Sequence, residues 1–340
     1  VTCPCALSLA TPTAMTTINT FLRNKGLLIT KSHTLEAMNS TSDIIFDKTG
    51  TLTEGRIQLN ATHTFGDTNS DTALCIAASL ESHSQHPIAQ AFKPYFKQSA
   101  EQVSTRLGLG LEGLYEGSNY RLGNLEFALN NTNAPEKLQK HAGICVYLSQ
   151  KDQASEYQII AQFMLSDTLR EESLDCVQAF QQQGINVHIL SGDHLSSVQE
   201  TAKQLGIKEF KAAQTPEQKL SYVRDLQTKG KEVAMVGDGI NDLPVLSGAR
   251  LSIAMGGASD ITKLNSDAVL LNSHLSVLNL AFQSAHRTRK IIKQNMVWAI
   301  GYNLLMLPLA AMGLVPPYFA ALGMSLSSLV VVFNSLRLKK

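Results

Sequence analysis

Residues 47–53 read Asp-Lys-Thr-Gly-Thr-Leu-Thr and follow directly on the short apolar run Ile44-Ile45-Phe46. An aspartate at the end of a buried strand acts as a nucleophile when its carboxylate faces a phosphoryl group, while amides and hydroxyls of the next turn hold the phosphate oxygens. A turn-forming aspartate is the simpler explanation of an Asp-Lys-Thr triplet alone. The whole run is far more specific, and it predicts Asp47 as a nucleophile followed by Lys48 and Thr49.

Three later segments supply what a phosphoryl-transfer site needs besides a nucleophile. In chain order they are Ser191-Gly192-Asp193, Lys219 and Gly237-Asp238-Gly239-Ile240-Asn241-Asp242. They provide a hydroxyl with small backbone, a fixed positive charge and the hard oxygen ligands that suit Mg²⁺. Each alone is explained by a strand-end turn, a solvated lysine or a loop. Their order, each after or near a predicted strand, favours a single site.

Short apolar runs alternate with helix-like stretches around these segments. The predicted strands are 44–46, 185–190, 233–236 and 251–254, and the predicted helices are 172–183, 195–205, 216–228 and 242–246. This alternation predicts an α/β fold with a doubly wound parallel sheet, in which ligands bind beyond the carboxyl ends of the strands. The first two strands are too far apart for one crossover. We therefore expect an inserted α+β domain between them.

The charge distribution predicts membrane segments. Lys plus Arg is 29 and Asp plus Glu is 28, so a net charge of +1 gives no reason to expect a nucleic-acid partner. No charged residue occurs from Gln294 to Leu336, and two membrane spans fit at 296–314 and 318–336. Basic residues flank both ends, which predicts cytoplasmic ends. A pair of buried core helices is the alternative.

These segments resemble the haloacid dehalogenase-type phosphorylation domain of P-type ATPases, and the resemblance covers essentially the whole chain. It implies that ATP phosphorylates Asp47, while Lys219, Thr49, Ser191 and Gly192 stabilise the transition state. The catalytic residues that it implies are Asp47, Lys48, Thr49, Ser191, Gly192, Asp193 and Lys219. The Mg²⁺ ligands that it implies are Asp47, Thr49, Asp238 and Asp242, and Asn241 would order the metal site.

The insertion resembles the nucleotide-binding domain of the same family. No Gly-x-x-x-x-Gly-Lys-Ser/Thr loop occurs in the sequence, which excludes a P-loop mechanism. Residues 81–87 read Glu-Ser-His-Ser-Gln-His-Pro, and residues 108–113 read Gly-Leu-Gly-Leu-Glu-Gly. The resemblance implies that His86 lies against the adenine, that Glu81 supports it, and that Gly108 and Gly110 let the backbone approach the nucleotide. Ordinary turns would explain either segment by itself.

Two cysteines flank a proline in the uncharged opening run, as Cys3-Pro4-Cys5. Thiolates at membrane depth offer soft ligands that suit Cu(I), although Zn²⁺ also accepts thiolate. In the resembled family this motif marks the heavy-metal subgroup. The other candidate ligands are Tyr302, Asn303, Met324 and Ser328. Together with Asn295 they resemble the copper-selective signature of the family. Packing between helices is the alternative explanation of these residues.

The resulting hypothesis is that the chain is the C-terminal half of a pump that exports Cu(I). We expect a multi-pass protein of the bacterial inner membrane, with its catalytic domains in the cytoplasm. Its expected partners are ATP, copper from a cytoplasmic donor, and lipid; the sequence defines no oligomeric state. No Thr-Gly-Glu loop occurs, so we expect these 340 residues to bind ATP and to accept phosphate on Asp47 without efficient turnover. The expected division of the chain is 1–22 (membrane helix with the metal motif), 23–54 and 165–286 (phosphorylation domain), 55–164 (nucleotide-binding domain) and 287–340 (helix hairpin).

Three rival hypotheses remain open. One is a Zn²⁺ or Cd²⁺ pump, which would share the mechanism but not the ion. Another is a membrane-tethered phosphatase of the haloacid dehalogenase type, against which Lys48-Thr49 argues because such phosphatases carry an acid two residues after the nucleophile. The last is a metal-binding module without catalysis, for which Asp47 would be dispensable. Within the pump hypothesis, a role in oxidase assembly competes with detoxification.

Overall fold

The computed structural model describes residues 5–84, 86, 88–106, 108–129, 138, 143–152, 156–238 and 242–339. Within these residues two separate sheets form, one largely parallel and one antiparallel. Three helices, drawn from the two ends of the chain, pack together beside the parallel sheet domain. The predicted α/β architecture with an inserted domain is confirmed.

The parallel sheet has seven strands in the order β1-β13-β12-β11-β2-β9-β10, and every neighbouring pair is parallel except β1 with β13. The central strands are buried on both faces, as expected when helices cover a parallel sheet. The four strands predicted from the sequence all lie in it. Its strands are β1 (Leu27–Ile29), β2 (Asp43–Asp47), β9 (Asn186–Leu190), β10 (Glu209–Lys211), β11 (Val233–Gly237), β12 (Leu251–Met255) and β13 (Ala268–Leu270).

Helices connect these strands and supply the apolar side chains of the core. Phe180 is fully buried, and its ring lies 6.2 Å from Phe46 and 5.0 Å from Phe282, measured between ring centroids. The four helices predicted between the strands are present. The helices of this domain are α2 (Thr34–Ser40), α6 (Ser173–Gln182), α7 (Leu195–Leu205), α8 (Pro216–Thr228), α9 (Leu243–Gly248) and α10 (Asp260–Asn265).

The inserted segment builds its own six-stranded antiparallel sheet, in the order β3-β8-β7-β6-β5-β4. A second core, separate from that of the parallel sheet, forms against it around Phe92 and Phe163. The elements are β3 (Thr53–Thr64), α3 (Ser70–Glu81), α4 (Ala89–Phe92), β4 (Glu101–Arg106), β5 (Gly110–Tyr115), β6 (Ser118–Gly123), α5 (Leu125–Leu129), β7 (Ile144–Lys151) and β8 (Tyr157–Leu169).

The helices α1 (Cys5–Lys25), α11 (Ser276–Ala311) and α12 (Pro317–Leu336) pack against one another. Ala6, Ala10, Ala299 and Val331 form the buried contact between them. Small residues of this kind let helix backbones approach closely, as membrane helices do. The outward faces of α11 and α12 carry large apolar side chains, including Leu304 and Phe333, which are 75% and 65% exposed.

In the described part of the chain one helical segment, Pro317–Lys339, is long and apolar enough to cross a membrane by composition. The earlier of the two predicted spans, 296–314, begins in the second half of α11 and ends just beyond it, because α11 ends at Ala311. Tyr302 and Asn303 lie within this half of the helix, and Gln294 and Asn295 lie at its start, so these polar residues lower its mean hydropathy. The helix itself is present, and the turn before Pro317 separates it from α12 as predicted.

Candidate active site

The ends of β2 and β11 bring the predicted nucleophile and its counter-charge together. The Nζ of Lys219, on α8, donates to Oδ1 of Asp47 at 2.6 Å and to Oδ1 of Asp242 at 2.9 Å. All three side chains are more than nine-tenths buried. A buried charge is tolerated only when it is paired and hydrogen-bonded, and this arrangement provides both. The sequence predicted Lys219 as a fixed positive charge at the site, and the structure places it against two carboxylates.

Burial raises the pKa of Asp47 to about 7, although the neighbouring ammonium of Lys219 opposes the shift and the carboxylate of Asp242 adds to it. Burial and the charge of Asp242 also raise the pKa of Asp238. Three carboxylates therefore share one site with the ammonium of Lys219, and the guanidinium of Arg170 also opposes the raised pKa of Asp238. Such an excess of negative charge favours the binding of a further cation.

The donor set fits Mg²⁺, whose protein ligands are few and mainly carboxylate, with phosphate and water completing the octahedron. Among the described residues no three Asp, Glu, His or Cys side chains lie close enough to hold a metal ion by themselves. Oxygens from a bound phosphoryl group or water would therefore have to complete the set. Asp238 and Asp242 flank the predicted Asn241, which lies outside the described residues together with Gly239 and Ile240.

The turn after Asp47 depends on a glycine. Gly50 has φ +72°, and a Cβ at this position would lie 1.8 Å from Oδ2 of Asp238. Any side chain here would collide with that carboxylate and would strain the left-handed backbone. Gly50 therefore lets the loops after β2 and β11 approach each other closely.

Lys48, Thr49 and Asp193 form a second cluster beside the nucleophile. The Nζ of Lys48 lies 2.5 Å from Oδ2 of Asp193 and donates to Oγ of Ser197 at 2.9 Å. The hydroxyl of Thr49 donates to the same Asp193 oxygen at 3.4 Å. Ser191 is buried and its Oγ accepts from the backbone N–H of Asp193 at 3.1 Å, across Gly192. The predicted residues of the first two strand ends thus lie together.

The structure adds residues that the sequence analysis did not identify. The hydroxyl of Thr53 donates to Oδ2 of Asp167, and the backbone N–H of Arg56 donates to Oδ1 of the same carboxylate at 3.1 Å. The guanidinium of Arg170 donates to the carbonyls of Gly50 and Thr51, each at 2.9 Å. Asp167 and Arg170 therefore fix the loop after the nucleophile from the far end of the insertion. In the sequence, the charged residues Asp167 and Arg170 at the end of β8 were the signal that could have identified these contacts.

A separate cleft of about 480 Å³ opens in the inserted domain. All four residues predicted there line it, namely Glu81, His86, Gly108 and Gly110. Burial raises the pKa of Glu81 to about 7, with a hydrogen bond from Ser84 opposing the shift. Its Oε2 is buried and has no hydrogen-bond partner. An unpartnered buried carboxylate oxygen is costly, and it is suited to accept a hydrogen bond from a ligand. Gln85 and Pro87 of the same motif lie outside the described residues.

Close approach of two backbones shapes the floor of this cleft. A Cβ at Gly110 would lie 2.2 Å from the carbonyl oxygen of Leu122, and a Cβ at Gly123 would lie 2.2 Å from that of Leu109. Gly110 and Gly123 face each other in the register of β5 and β6. Gly110 was predicted because it belongs to a recognisable motif, whereas Gly123 belongs to none and was not predicted.

The structure describes some, but not all, of the candidate metal ligands in the helices. Cys3 lies outside the described residues, and the side chain of Cys5 is likewise not described. Tyr302 and Asn303 on α11, and Met324 and Ser328 on α12, are all partly buried in the same helix pair. The hydroxyl of Tyr302 lies so close to Gly323 that a Cβ there would be 2.4 Å from it.

A buried polar network joins the three helices near these residues. The Nδ2 of Asn295 donates to Oγ of Ser335 at 3.0 Å, and its Oδ1 accepts from Asn334 at 2.8 Å. The hydroxyls of Thr13 and Ser335 are 3.1 Å apart. Asn295 and Ser335 are fully buried or nearly so. Asn295, which the sequence analysis grouped with the metal ligands, therefore makes its described hydrogen bonds to side chains of α12.

Comparison with known proteins identifies relatives over the whole chain. A model of the haloacid dehalogenase-like hydrolases matches residues 44–250. A "Copper-exporting P-type ATPase" of Mycobacterium tuberculosis is 35% identical over all of this chain and 45% of its own length. The "Nitrogen fixation protein FixI" of Rhizobium leguminosarum bv. viciae is 37% identical over 99% of this chain and 44% of its own. The chain thus spans about half the length of these relatives.

Solved structures share the fold of this chain. A zinc-transporting PIB-type ATPase in its E2.Pi state superposes with a TM-score of 0.87 at 30% identity, covering 99% of this chain and 56% of the other. The catalytic domain of a CPx-ATPase, described for its changes on nucleotide binding, superposes with a TM-score of 0.64 at 28% identity, covering 78% of this chain and 98% of the other.

The raised pKa of Asp47 predicts a dependence of stability on pH in metal-free buffer. An unfolded aspartate loses its proton near pH 4, whereas folded Asp47 keeps it to about pH 7. Stability from this group is therefore lost as the pH rises from about 4 to 7. We expect the difference in melting temperature between Asp47→Asn and the parent to shift in favour of the variant over this range and then to level off, on top of any constant cost of losing the Lys219 ion pair. Asp225→Asn, at an exposed position on α8, is the control, and a difference that does not vary with pH would contradict the prediction.

Proposed function

The chain belongs to the haloacid dehalogenase-like hydrolases and, within them, to the heavy-metal P-type ATPases, and from this premise we propose that it serves ATP-driven export of Cu(I) through phosphorylation of Asp47. The observation that carries the proposal is the buried contact of Lys219 with Asp47 and Asp242, next to the turn at Gly50. The proposed nucleophile thus lies at one edge of the sheet together with a cation and with carboxylates that would bind the metal.

In the proposed reaction a carboxylate oxygen of Asp47 attacks the γ-phosphorus of ATP. A bond forms between that oxygen and phosphorus, the bond from phosphorus to the bridging oxygen breaks, and ADP leaves with the electron pair. Because Lys219 binds Oδ1, we assign the attack to Oδ2. Mg²⁺, when bound, supplies positive charge that favours ionised Asp47 and offsets the charge on the phosphate.

The remaining predicted residues are assigned supporting roles. Thr49, Ser191 and the backbone at Gly192 are proposed to hold the phosphoryl oxygens, and the Lys48–Asp193 pair is proposed to fix the position of the two loops. Asp238 and Asp242 are proposed as Mg²⁺ ligands together with Asp47 and Thr49. Fixed donors aimed at developing charge are the main source of such catalysis.

The cleft of the inserted domain is proposed as the ATP site. Glu81, with an unpartnered buried oxygen, would accept a hydrogen bond from the adenine amino group, and His86 would lie against the ring. The glycines at 108 and 110 leave backbone open to the ligand. A separate sheet from β3 to β8 supports the division of the chain into 23–54 and 165–286 for phosphorylation and 55–164 for nucleotide binding.

The transported ion is proposed to be Cu(I), bound by Cys3, Cys5, Tyr302, Asn303, Met324 and Ser328. Thiolate and thioether sulfur suit Cu(I). No charged residue occurs from Gln294 to Leu336, where a pump for a divalent ion would gain from a carboxylate. The copper relative supports this choice, and the zinc-transporting structural neighbour keeps Zn²⁺ as the second candidate.

We place the helices α1, α11 and α12 in a membrane, as parts of segments 1–22 and 287–340, with the sheet domains in the cytoplasm. Large apolar side chains cover the outward faces of α11 and α12. Arg289 and Lys293 precede the uncharged part of α11, and Lys339 follows α12, so both ends meet the positive-inside rule. The proposed partners are therefore membrane lipid, ATP and a cytoplasmic donor of copper.

The decisive experiment is phosphoenzyme formation from γ-labelled ATP in the full-length protein with Cu(I), with Zn²⁺ and without metal. We expect an acid-stable, alkali-labile label that requires Cu(I) and is lost in Asp47→Asn. A label that requires Zn²⁺ instead would keep the mechanism and overturn the ion. No label with any metal would favour a phosphatase or a binding module.

A glycine substitution tests the nucleotide cleft. Gly110→Ala would bring a methyl group against the carbonyl of Leu122, and we expect it to weaken binding of a non-hydrolysable ATP analogue about tenfold or more. Gly117→Ala is the matched control, since Gly117 also has a positive φ but no atom within 4 Å of its Cβ position. Equal affinities of the two variants by calorimetry would contradict the assignment of the cleft.

The membrane placement is open to a fluorescence test because Trp298 is the single tryptophan of the sequence. It is 47% exposed on α11, and its indole N–H donates to Ser327 at 3.2 Å. We expect brominated lipids to quench its emission in reconstituted vesicles more strongly than iodide in the surrounding water. Trp298→Phe should remove the signal. Quenching by iodide alone would place this face of α11 in water.

A further inference from the structure

Three thiols of the described residues differ sharply in their surroundings. Cys75 and Cys176 are buried, with 8% and 1% of their surfaces exposed. Burial raises the pKa of Cys176 to about 12, so its thiol is unreactive at neutral pH. Cys145 is partly exposed and lines the cleft of the inserted domain. Reagents in solution therefore reach Cys145 in preference to the other two.

Cys145 lies in β7, and its sulfur contacts a side chain of the neighbouring strand β8. It lies one residue into the strand, and its Sγ accepts a hydrogen bond from Nε2 of Gln162 at 3.7 Å. This contact holds the sulfur in the wall of the cleft. Arg106 lines the same cleft and adds a positive charge, which favours the entry of anionic reagents.

A second observation marks this cleft as a place where a ligand binds. Glu81 is more than nine-tenths buried, lines the cleft, and has an Oε2 without a hydrogen-bond partner. Cys145 is thus part of the wall of a built site. A group attached to its sulfur would occupy the volume that the ligand of Glu81 requires.

We propose that Cys145 is a site of reversible modification by low-molecular-weight disulfides of the glutathione class, and that the adduct blocks the nucleotide cleft. The inference rests on the proposed function, because it takes the ligand of the cleft to be a nucleotide. It adds a redox control to that site.

The chemistry is thiol–disulfide exchange. The thiolate of Cys145 attacks one sulfur of the disulfide, a new S–S bond forms to Cys145, and the original S–S bond breaks. The second half leaves as a thiolate and takes up the proton that Cys145 has released. A free thiol reverses the reaction by the same route.

The size of the cleft explains why the adduct and the nucleotide exclude each other. At about 480 Å³ it lies within the range that holds one small-molecule ligand. A tripeptide attached to Cys145 would fill much of this volume. Bound nucleotide, in turn, would cover the thiol and slow its modification.

The test uses the full chain in detergent, treated with glutathione disulfide and followed by peptide mass spectrometry. We expect Cys145 to be modified well before Cys75 and Cys176, and saturating Mg²⁺ with an ATP analogue to slow its modification about tenfold or more. Calorimetry should show analogue binding weakened about tenfold or more after treatment, and restored by dithiothreitol. Each variant is compared with its own untreated state. Treated Cys145→Ser should keep its untreated affinity, whereas treated Cys75→Ser should lose affinity as the parent does.

The outcomes separate this inference from the proposed function. If the untreated protein binds the analogue but Cys145 stays unmodified, or is modified without loss of affinity, the inference is overturned and the nucleotide assignment stands. If treatment weakens binding equally in Cys145→Ser, another thiol is responsible and the inference is overturned. If the untreated protein does not bind the analogue, both are overturned.

Discussion

The contact of one buried ammonium with two buried carboxylates holds the candidate active site together. Lys219 joins Asp47, at the end of β2, to Asp242, at the start of α9, and so fixes three segments that are far apart in the chain. Loss of Lys219 would leave two buried carboxylates without this counter-charge, which costs on the order of 3–5 kcal/mol. The excess of carboxylates over ammonium groups also prepares the site for a metal ion. Stability and chemistry therefore depend on the same three side chains.

The inserted domain reaches this site through a narrow connection. β3 leaves the loop after Asp47 and β8 returns beside it, and Asp167 on β8 holds Thr53 and the backbone of Arg56 at the junction. Arg170 then ties the end of β8 to the carbonyls of the nucleophile loop. The proposed nucleotide cleft and the proposed nucleophile thus belong to different sheets, and the polar contacts of Asp167 and Arg170 lie at the junction between them.

The local sequence pattern predicted the fold and the motif residues, but it did not predict contacts between segments that are distant in the chain. Strand ends at Asp47, Asp193 and Asp238 followed from alternating apolar runs, since parallel strands share one edge. Arg170 and Gly123 were missed because their roles depend on distant segments, the carbonyls of the loop after Asp47 for Arg170 and the facing strand β5 for Gly123. The charge-free run located the apolar part of α11 but not its beginning at Ser276, because hydropathy does not report the soluble half of a continuous helix. The roles of the predicted catalytic, nucleotide and ion ligands remain predictions.

The uninterrupted length of α11 makes it a lever. Thirty-six residues at 1.5 Å each extend about 54 Å, and one end is fixed in the core of the sheet domain by Phe282 against Phe180. Tyr302 lies 20 residues beyond Phe282, or about 30 Å along the helix, so a tilt of the sheet domain by about 10° would displace it by about 5 Å. That displacement is comparable with the rise of one helical turn. Small rotations on the side of Asp47 are therefore amplified, without any change of secondary structure, into sideways movement of Tyr302 and Asn303.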